Sequence, residues 1–221
     1  MDYTEIIKKA VDNANAGVSK LPREVLDLEG MSSNRIRHLL NNIISLQGNS
    51  ARYLEVGVWK GSTTISALYN NTLEYHTCID NFTQFNGPRI EFQKNCRTHL
   101  SYENRVNFLD CDCFEINPAD FNIKDINTYL YDGEHSAASQ YRGITHYYES
   151  LANEFILIVD DFNWEEVQRG TRDAIRDKNI KVQYEVHLPA YTVTTQGQWG
   201  PEIAGDKINW WNGYYVAHCT K

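Results

Sequence analysis

Two short stretches hold the residues of this chain that are hardest to explain without chemistry. Both are apolar runs that end in acid: Leu130-Tyr131-Asp132-Gly133-Glu134-His135, and Leu157-Ile158-Val159-Asp160-Asp161-Phe162-Asn163. Read as neighbouring strands, ~4.8 Å apart, they bring Asp132 and the Asp160–Asp161 pair within a few ångströms of one another. Carboxylates gathered beside a buried apolar strand are costly unless they take up protons or bind a cation. An all-oxygen donor set favours Mg²⁺ or Ca²⁺, with Mn²⁺ admissible. Zinc would want more nitrogen or sulfur, and His135 is the one histidine close by. A plainer reading exists: a turn at Asp132-Gly133, and a helix cap at Asp161 or at Asn163, the latter boxed with Glu166. That reading accounts for one carboxylate after each strand but not for the adjacent pair.

A third stretch, Leu54-Glu55-Val56-Gly57-Val58-Trp59-Lys60-Gly61-Ser62-Thr63, is a glycine-bearing turn. Gly57 and Gly61 permit close backbone approach, and Ser62 or Thr63 can cap a following helix. The spacing is neither GxGxxG nor a Walker loop, because Lys60 precedes its glycine. With an acid at its start, such a turn suits a ligand carrying an ammonium and a ribose. It also occurs for purely geometric reasons in many α/β proteins. Asp80 follows ~20 residues after the turn, a placement that suits both hydroxyls of a ribose. An ordinary surface aspartate is the alternative. Asp112, in Leu109-Asp110-Cys111-Asp112, can take the exocyclic amine of an adenine; Asp110 competes with it, and turn aspartates are common.

These residues need a scaffold that delivers strand ends to one place, and the hydropathy pattern predicts one. Apolar runs at 53–56, 76–79, 106–109, 128–131 and 155–159 alternate with helical stretches near 62–70, 88–100, 136–151 and 164–178. Such alternation predicts a parallel sheet covered by helices on both faces, with ligands at the carboxyl ends of the strands. Val182, Tyr184, Val186 and Leu188 alternate, and Tyr214-Tyr215-Val216-Ala217 follows without an intervening helix; the two should pair antiparallel at the sheet edge. Upstream, Ser32 and Ser33 can cap a helix carrying Ile36, Leu39, Leu40, Ile43 and Ile44. Residues 1–30 are polar and weakly periodic and read as an extension, so that 1–48 forms an N-terminal helical cap on a domain at 49–221.

Bulk composition narrows the classes. The chain has 221 residues and a net charge of −8, and Lys and Arg are scattered, so nucleic acid is an unfavoured partner. Five cysteines without a CxxC pair or a His/Cys cluster predict free thiols rather than a disulfide framework or structural zinc. The N-terminus lacks a basic region followed by an apolar core, and Phe155–Val159 is far too short to span a bilayer. A cytoplasmic protein with no membrane partner is the expectation.

Together, Leu54-Glu55-Val56-Gly57 with Gly61-Ser62-Thr63, the acid at Asp80, Asp132-Gly133-Glu134-His135 and Val159-Asp160-Asp161 resemble the metal-dependent small-molecule O-methyltransferases, in particular those acting on macrolide and aminocoumarin sugars. Five parallel strands closed by a C-terminal hairpin is likewise the layout of class I, S-adenosylmethionine-dependent methyltransferases. That wider resemblance spans roughly 50–220, while the metal-dependent subgroup rests on two short motifs. It implies that Glu55, Gly57, Gly61, Ser62, Asp80, Asp112 and Asp132 surround S-adenosylmethionine, and that Asp132, Asp160 and Asp161 hold Mg²⁺ or another divalent cation. It implies His135 as general base, with Glu134 second. The chain departs from the family at the turn before the fifth strand, where Ala152-Asn153-Glu154 replaces the usual Gly-Gly.

The acceptor would be a small molecule, met by a long segment at 189–212 that holds Trp199, Trp210 and Trp211 with Gly197, Gly200 and Gly205. Those indoles can stack on a sugar or ring face, or pack on the sheet edge. The extension can close over the cofactor or support a homodimer. Two rivals remain: a metal-dependent hydroxylase-like enzyme on the same fold, which would need iron, and a non-catalytic cofactor-binding module.

Overall fold

The computed structural model describes residues 1–101, 106–189 and 210–221. Its frame is a seven-stranded sheet: β1 (Arg52–Val56), β2 (Tyr75–Asp80), β3 (Phe108–Asp110), β4 (Ile126–Tyr131), β5 (Leu151–Val159), β6 (Lys181–Leu188) and β7 (Tyr214–Thr220). They lie in the order β3-β2-β1-β4-β5-β7-β6. The first five are parallel, while β7 runs antiparallel between β5 and β6. The doubly wound sheet and its terminal hairpin are as the hydropathy pattern predicts.

Strand alternation divides the core in two. One face carries Tyr53, Leu130, Ile156, Ile158, Tyr214 and Val216, packed under α1 (Tyr3–Asn15), α3 (Asn34–Gln47) and α4 (Ser62–Leu68). The other carries Leu54, Tyr129, Leu157, Val159 and Tyr215, packed under α6 (Ala137–Tyr147) and α7 (Glu165–Asp177). A one-turn α2 (Arg23–Leu26) precedes α3, and α5 (Arg89–His99) joins β2 to β3.

The N-terminal segment is more ordered than its polarity suggests. Asp2 caps α1 by accepting from the Glu5 amide, and Ile6, Ile7, Ala10 and Ala14 share one buried stripe at helical spacing. That stripe enters the same core as β5 and β7, so residues 1–48 are packed on the sheet rather than attached beside it.

Two caps differ from expectation. Ser33 does cap α3, accepting from the Ile36 amide. At α4, however, the cap position is Gly61 with no side-chain cap, because the Ser62 hydroxyl is turned to Ser32 Oγ, 3.0 Å away. All five cysteines are free thiols. Among the described residues no helix is long and apolar enough to cross a membrane.

Candidate active site

The carboxyl ends of the parallel strands meet through the backbone. Gly57 donates to the Ile79 carbonyl, Asp132 to that of Val56, and Asp160 to that of Tyr131, carrying the ladder past the last strand residues. Phe162 and Asn163 donate in turn to Gly213 and Asn212. The result is a cavity of about 570 Å³, within the range of small-molecule sites. Gly57, Ser62, Asp80 and Asp112 line one end; Asp132, Glu134, His135, Asp160 and Asp161 line the other.

At the first end the turn is held by Asp80. Its Oδ2 accepts from the amides of Val58 (2.9 Å) and Trp59 (3.0 Å), and its Oδ1 from that of Phe82 (2.7 Å). Gly57 sits at φ +85°, and a Cβ there would lie 1.9 Å from the Asp132 carbonyl oxygen, so only glycine lets the two strand ends touch. Glu55 and Gly61 are not on the cavity wall. Glu55 lies fully buried behind the turn, where Thr63 Oγ1 (2.6 Å) and the Tyr53 hydroxyl (3.0 Å) donate to it. Burial lifts its pKa to about 7 despite those bonds. Gly61 faces the Phe92 ring. Their expected contact with the donor becomes, in this structure, support of the turn from beneath. Asp112 faces the cavity between Cys111 and Cys113, its Oδ1 taken by the Phe114 amide. Its competitor Asp110 is exposed and paired to Arg89 at 2.8 Å.

The second end is charged differently. Ligand atoms of Asp132, His135 and Asp161 lie within 4.8 Å of one another. His135 Nε2 is 2.9 Å from Asp161 Oδ2, and the His135 ring meets Trp164 edge-on at 5.0 Å. Asp161 is 5% exposed, adopts a left-handed backbone (φ +54°), and leaves its Oδ1 without a hydrogen-bond partner. Asp160 lies beside Asp132 but outside that convergent trio, its Oδ1 accepting from the Asp161 amide at 2.7 Å. Desolvation, then the neighbouring carboxylates, hold Asp132 and Asp160 well above the usual carboxylate range.

The plainer capping account does not describe this end. The cap position of α7 is Trp164, without a side-chain bond, while Asn163 Oδ1 meets His187 Nε2 at 3.0 Å. Asp161 points instead at His135. Glu134 is exposed and spends both carboxylate oxygens on Ser136, accepting from its amide (2.9 Å) and hydroxyl (2.6 Å), which lowers its pKa.

Several wall residues escaped the sequence reading. Trp59, Phe85 and Trp164 reach the cavity from loops, where no periodicity marks them. Trp211 joins them, whereas Trp210 is buried in the core; Trp199 and the glycines of that segment lie outside the described residues. Tyr214 carries no mark in the sequence beyond its place in a strand.

A family model described as a methyltransferase domain matches residues 54–162. No curated protein matches the chain. Among solved structures, an O-methyltransferase from Bacillus cereus in complex with SAH is similar at 10% identity and a TM-score of 0.59, over 98% of this chain and 91% of that one. M. jannaschii TYW2 in complex with AdoMet is similar at 9% identity and a TM-score of 0.59, over 91% and 81%. M. capricolum TrmK in complex with S-adenosyl-homocysteine is similar at 14% identity and a TM-score of 0.54, over 82% and 67%. The matched segment runs from the glycine turn to the Asp160–Asp161 pair: the chain carries a methyltransferase domain there, on a sheet whose fold it shares with these AdoMet- and SAH-bound structures.

Proposed function

We propose that the chain transfers the methyl group of S-adenosylmethionine to a hydroxyl oxygen of a small molecule, beside a divalent cation. The observation that carries the cation is the second end of the cavity. Asp132, His135 and Asp161 converge there, and a buried carboxylate oxygen of Asp161 has no partner. Mg²⁺ or Mn²⁺ suits the carboxylates of Asp132 and Asp161 completed by water in an open cavity, which leaves the His135 imidazole free to act on a proton. Bound there, the cation would supply a Lewis acid that makes an acceptor hydroxyl easier to ionise.

The chain's own residues do the rest. At the first end, backbone approach at Gly57 and the carboxylates of Asp80 and Asp112 fit the methionine, ribose and adenine parts of the donor. His135, steadied by Asp161 through Nε2, keeps Nδ1 for the hydroxyl proton. The acceptor oxygen bonds to the methyl carbon as the carbon–sulfur bond breaks, and its electron pair stays on sulfur. Glu134 is the weaker base, since Ser136 occupies both its oxygens. Trp164 and Trp211 offer ring faces to an acceptor. Net charge −8 and a carboxylate-lined cavity favour a small molecule over a polyanion.

Melting curves with S-adenosylmethionine alone, Mg²⁺ alone and both separate these claims. No shift with S-adenosylmethionine sinks methyl transfer, whereas turnover indifferent to a chelator sinks only the cation. With both claims intact, Asp161→Ala should cut turnover about 10³-fold, a loss of several kcal/mol in the barrier, and leave donor affinity near wild type.

A further inference from the structure

The face of the sheet under α1 and α3 carries a polar group that the reaction above does not use. Tyr214 opens β7 and is fully buried, yet its hydroxyl has no hydrogen-bond partner at bonding geometry. An orphaned buried hydroxyl is costly, and phenylalanine would fill the same space without it. The register says where the hydroxyl belongs. Ile158 pairs with Val216 and Val159 with Tyr215, so the next antiparallel pair sets Tyr214 opposite Asp160. Residues two apart share a face, which puts Tyr214 on the side that carries Ile158, Val216 and Leu130. The register and the shared face set the hydroxyl beside Asp160, and Asp132 and Asp161 are the other acids that act on it.

Asp160 is otherwise under-anchored. Its Oδ1 accepts from the Asp161 amide, and it leans on Asp132, one of the three convergent ligands. Tyr53, on the same face, shows what a fully paired neighbour looks like, since its hydroxyl donates to Glu55 at 3.0 Å.

We propose that Tyr214 is a positioning residue that donates its hydroxyl to Asp160 and so holds that carboxylate beside Asp132 and Asp161 for cation binding. This rests on the cation reading above. Outer hydrogen bonds of this kind typically change metal affinity by about 10–100-fold.

The test is calorimetric titration of Mn²⁺ into wild type, Tyr214→Phe and Tyr129→Phe, each without acceptor. Tyr129 is the control: an equally buried tyrosine on the opposite face, whose hydroxyl donates to the Gly143 carbonyl. Tyr214→Phe should weaken Mn²⁺ binding at least about 10-fold, with S-adenosylmethionine affinity unchanged and the metal-free melting temperature no lower than that of wild type. Tyr129→Phe should bind Mn²⁺ as wild type does. Equal Mn²⁺ affinity in Tyr214→Phe and wild type overturns the role of Tyr214 and leaves the cation standing. Equal weakening in both variants overturns it too, by pointing to general loosening. Wild type that takes up no Mn²⁺ overturns the cation reading, and this proposal with it.

Discussion

The two ends of the cavity are both built from strand-terminal acids, yet they solve the problem of burying a carboxylate in opposite ways. Around β1 and β2 every acid is paid for by the protein: Asp80 accepts three amides, and Glu55 a threonine and a tyrosine hydroxyl. Around β4, β5 and β7 the balance stays open, with an unpartnered Asp161 oxygen and an Asp132 carboxyl pushed up by burial and by Asp160 and Asp161. The first end is shaped before any ligand arrives. The second is held under strain, and its acids become favourable only when something positive joins them. Satisfied acids thus mark a preformed donor end here, and unsatisfied ones mark the end that waits for a cation.

The sharpest way to break this division is to separate the two ends. Gly57→Ala puts a methyl group 1.9 Å from the Asp132 carbonyl oxygen, at a backbone φ of +85°. The left-handed strain and the overpacking together should cost about 3–5 kcal/mol. Denaturant unfolding should show that loss, and donor binding and turnover should fail together in whatever folds. A Gly57→Ala protein that loses one function and keeps the other would mean the ends are independent.

Asp80→Asn tests the satisfied end alone. One acceptor becomes an amide that faces backbone N–H groups, so about 2 kcal/mol of stability should go, along with much of the donor affinity. At the other end, Asp161→Asn, which tolerates the same left-handed backbone, should leave stability near wild type or raise it, because it removes a buried acid whose bonding is incomplete. Equal stability losses in the two variants would erase the contrast.

How much of this was legible beforehand follows the same line. The sheet, its hairpin and most strand-end acids could be read because period-2 apolar runs and the acids after them are local signals. The helix α1 was underrated because its stripe uses two alanines among charges, and its apolar face shows only once β7 is present to cover it. The resemblance implies Glu55 at the cofactor, but strand alternation puts its side chain on the face of Tyr53, under the turn. Asp160 was placed with Asp132 and Asp161 as an equal ligand, whereas His135 stands in the convergent trio. Adjacent residues point to different sides, and the backbone at Asp161 turns left-handed, which no spacing rule announces. Tyr214 could not be singled out because a buried strand tyrosine ordinarily finds its partner.

The last effect is confined to a pH window, concerns Glu55, and asks whether a satisfied acid is also a silent one. Its carboxyl is raised from 4.5 to about 7, chiefly by burial. Between those values the unfolded chain releases its proton first, so stability should fall as pH rises from about 4.5 to about 7. The full effect is bounded at about 3 kcal/mol, a figure that already includes the hydroxyls of Thr63 and Tyr53, which favour the charged form. Glu55→Gln removes the titration but keeps the shape and one acceptor, so its stability should vary less over that window while donor affinity changes little. Urea unfolding of both proteins at pH 5 and pH 8 measures the difference. Parallel pH dependences would place Glu55 among the ordinary carboxyls, and a large loss of donor affinity would return its side chain to the cavity wall.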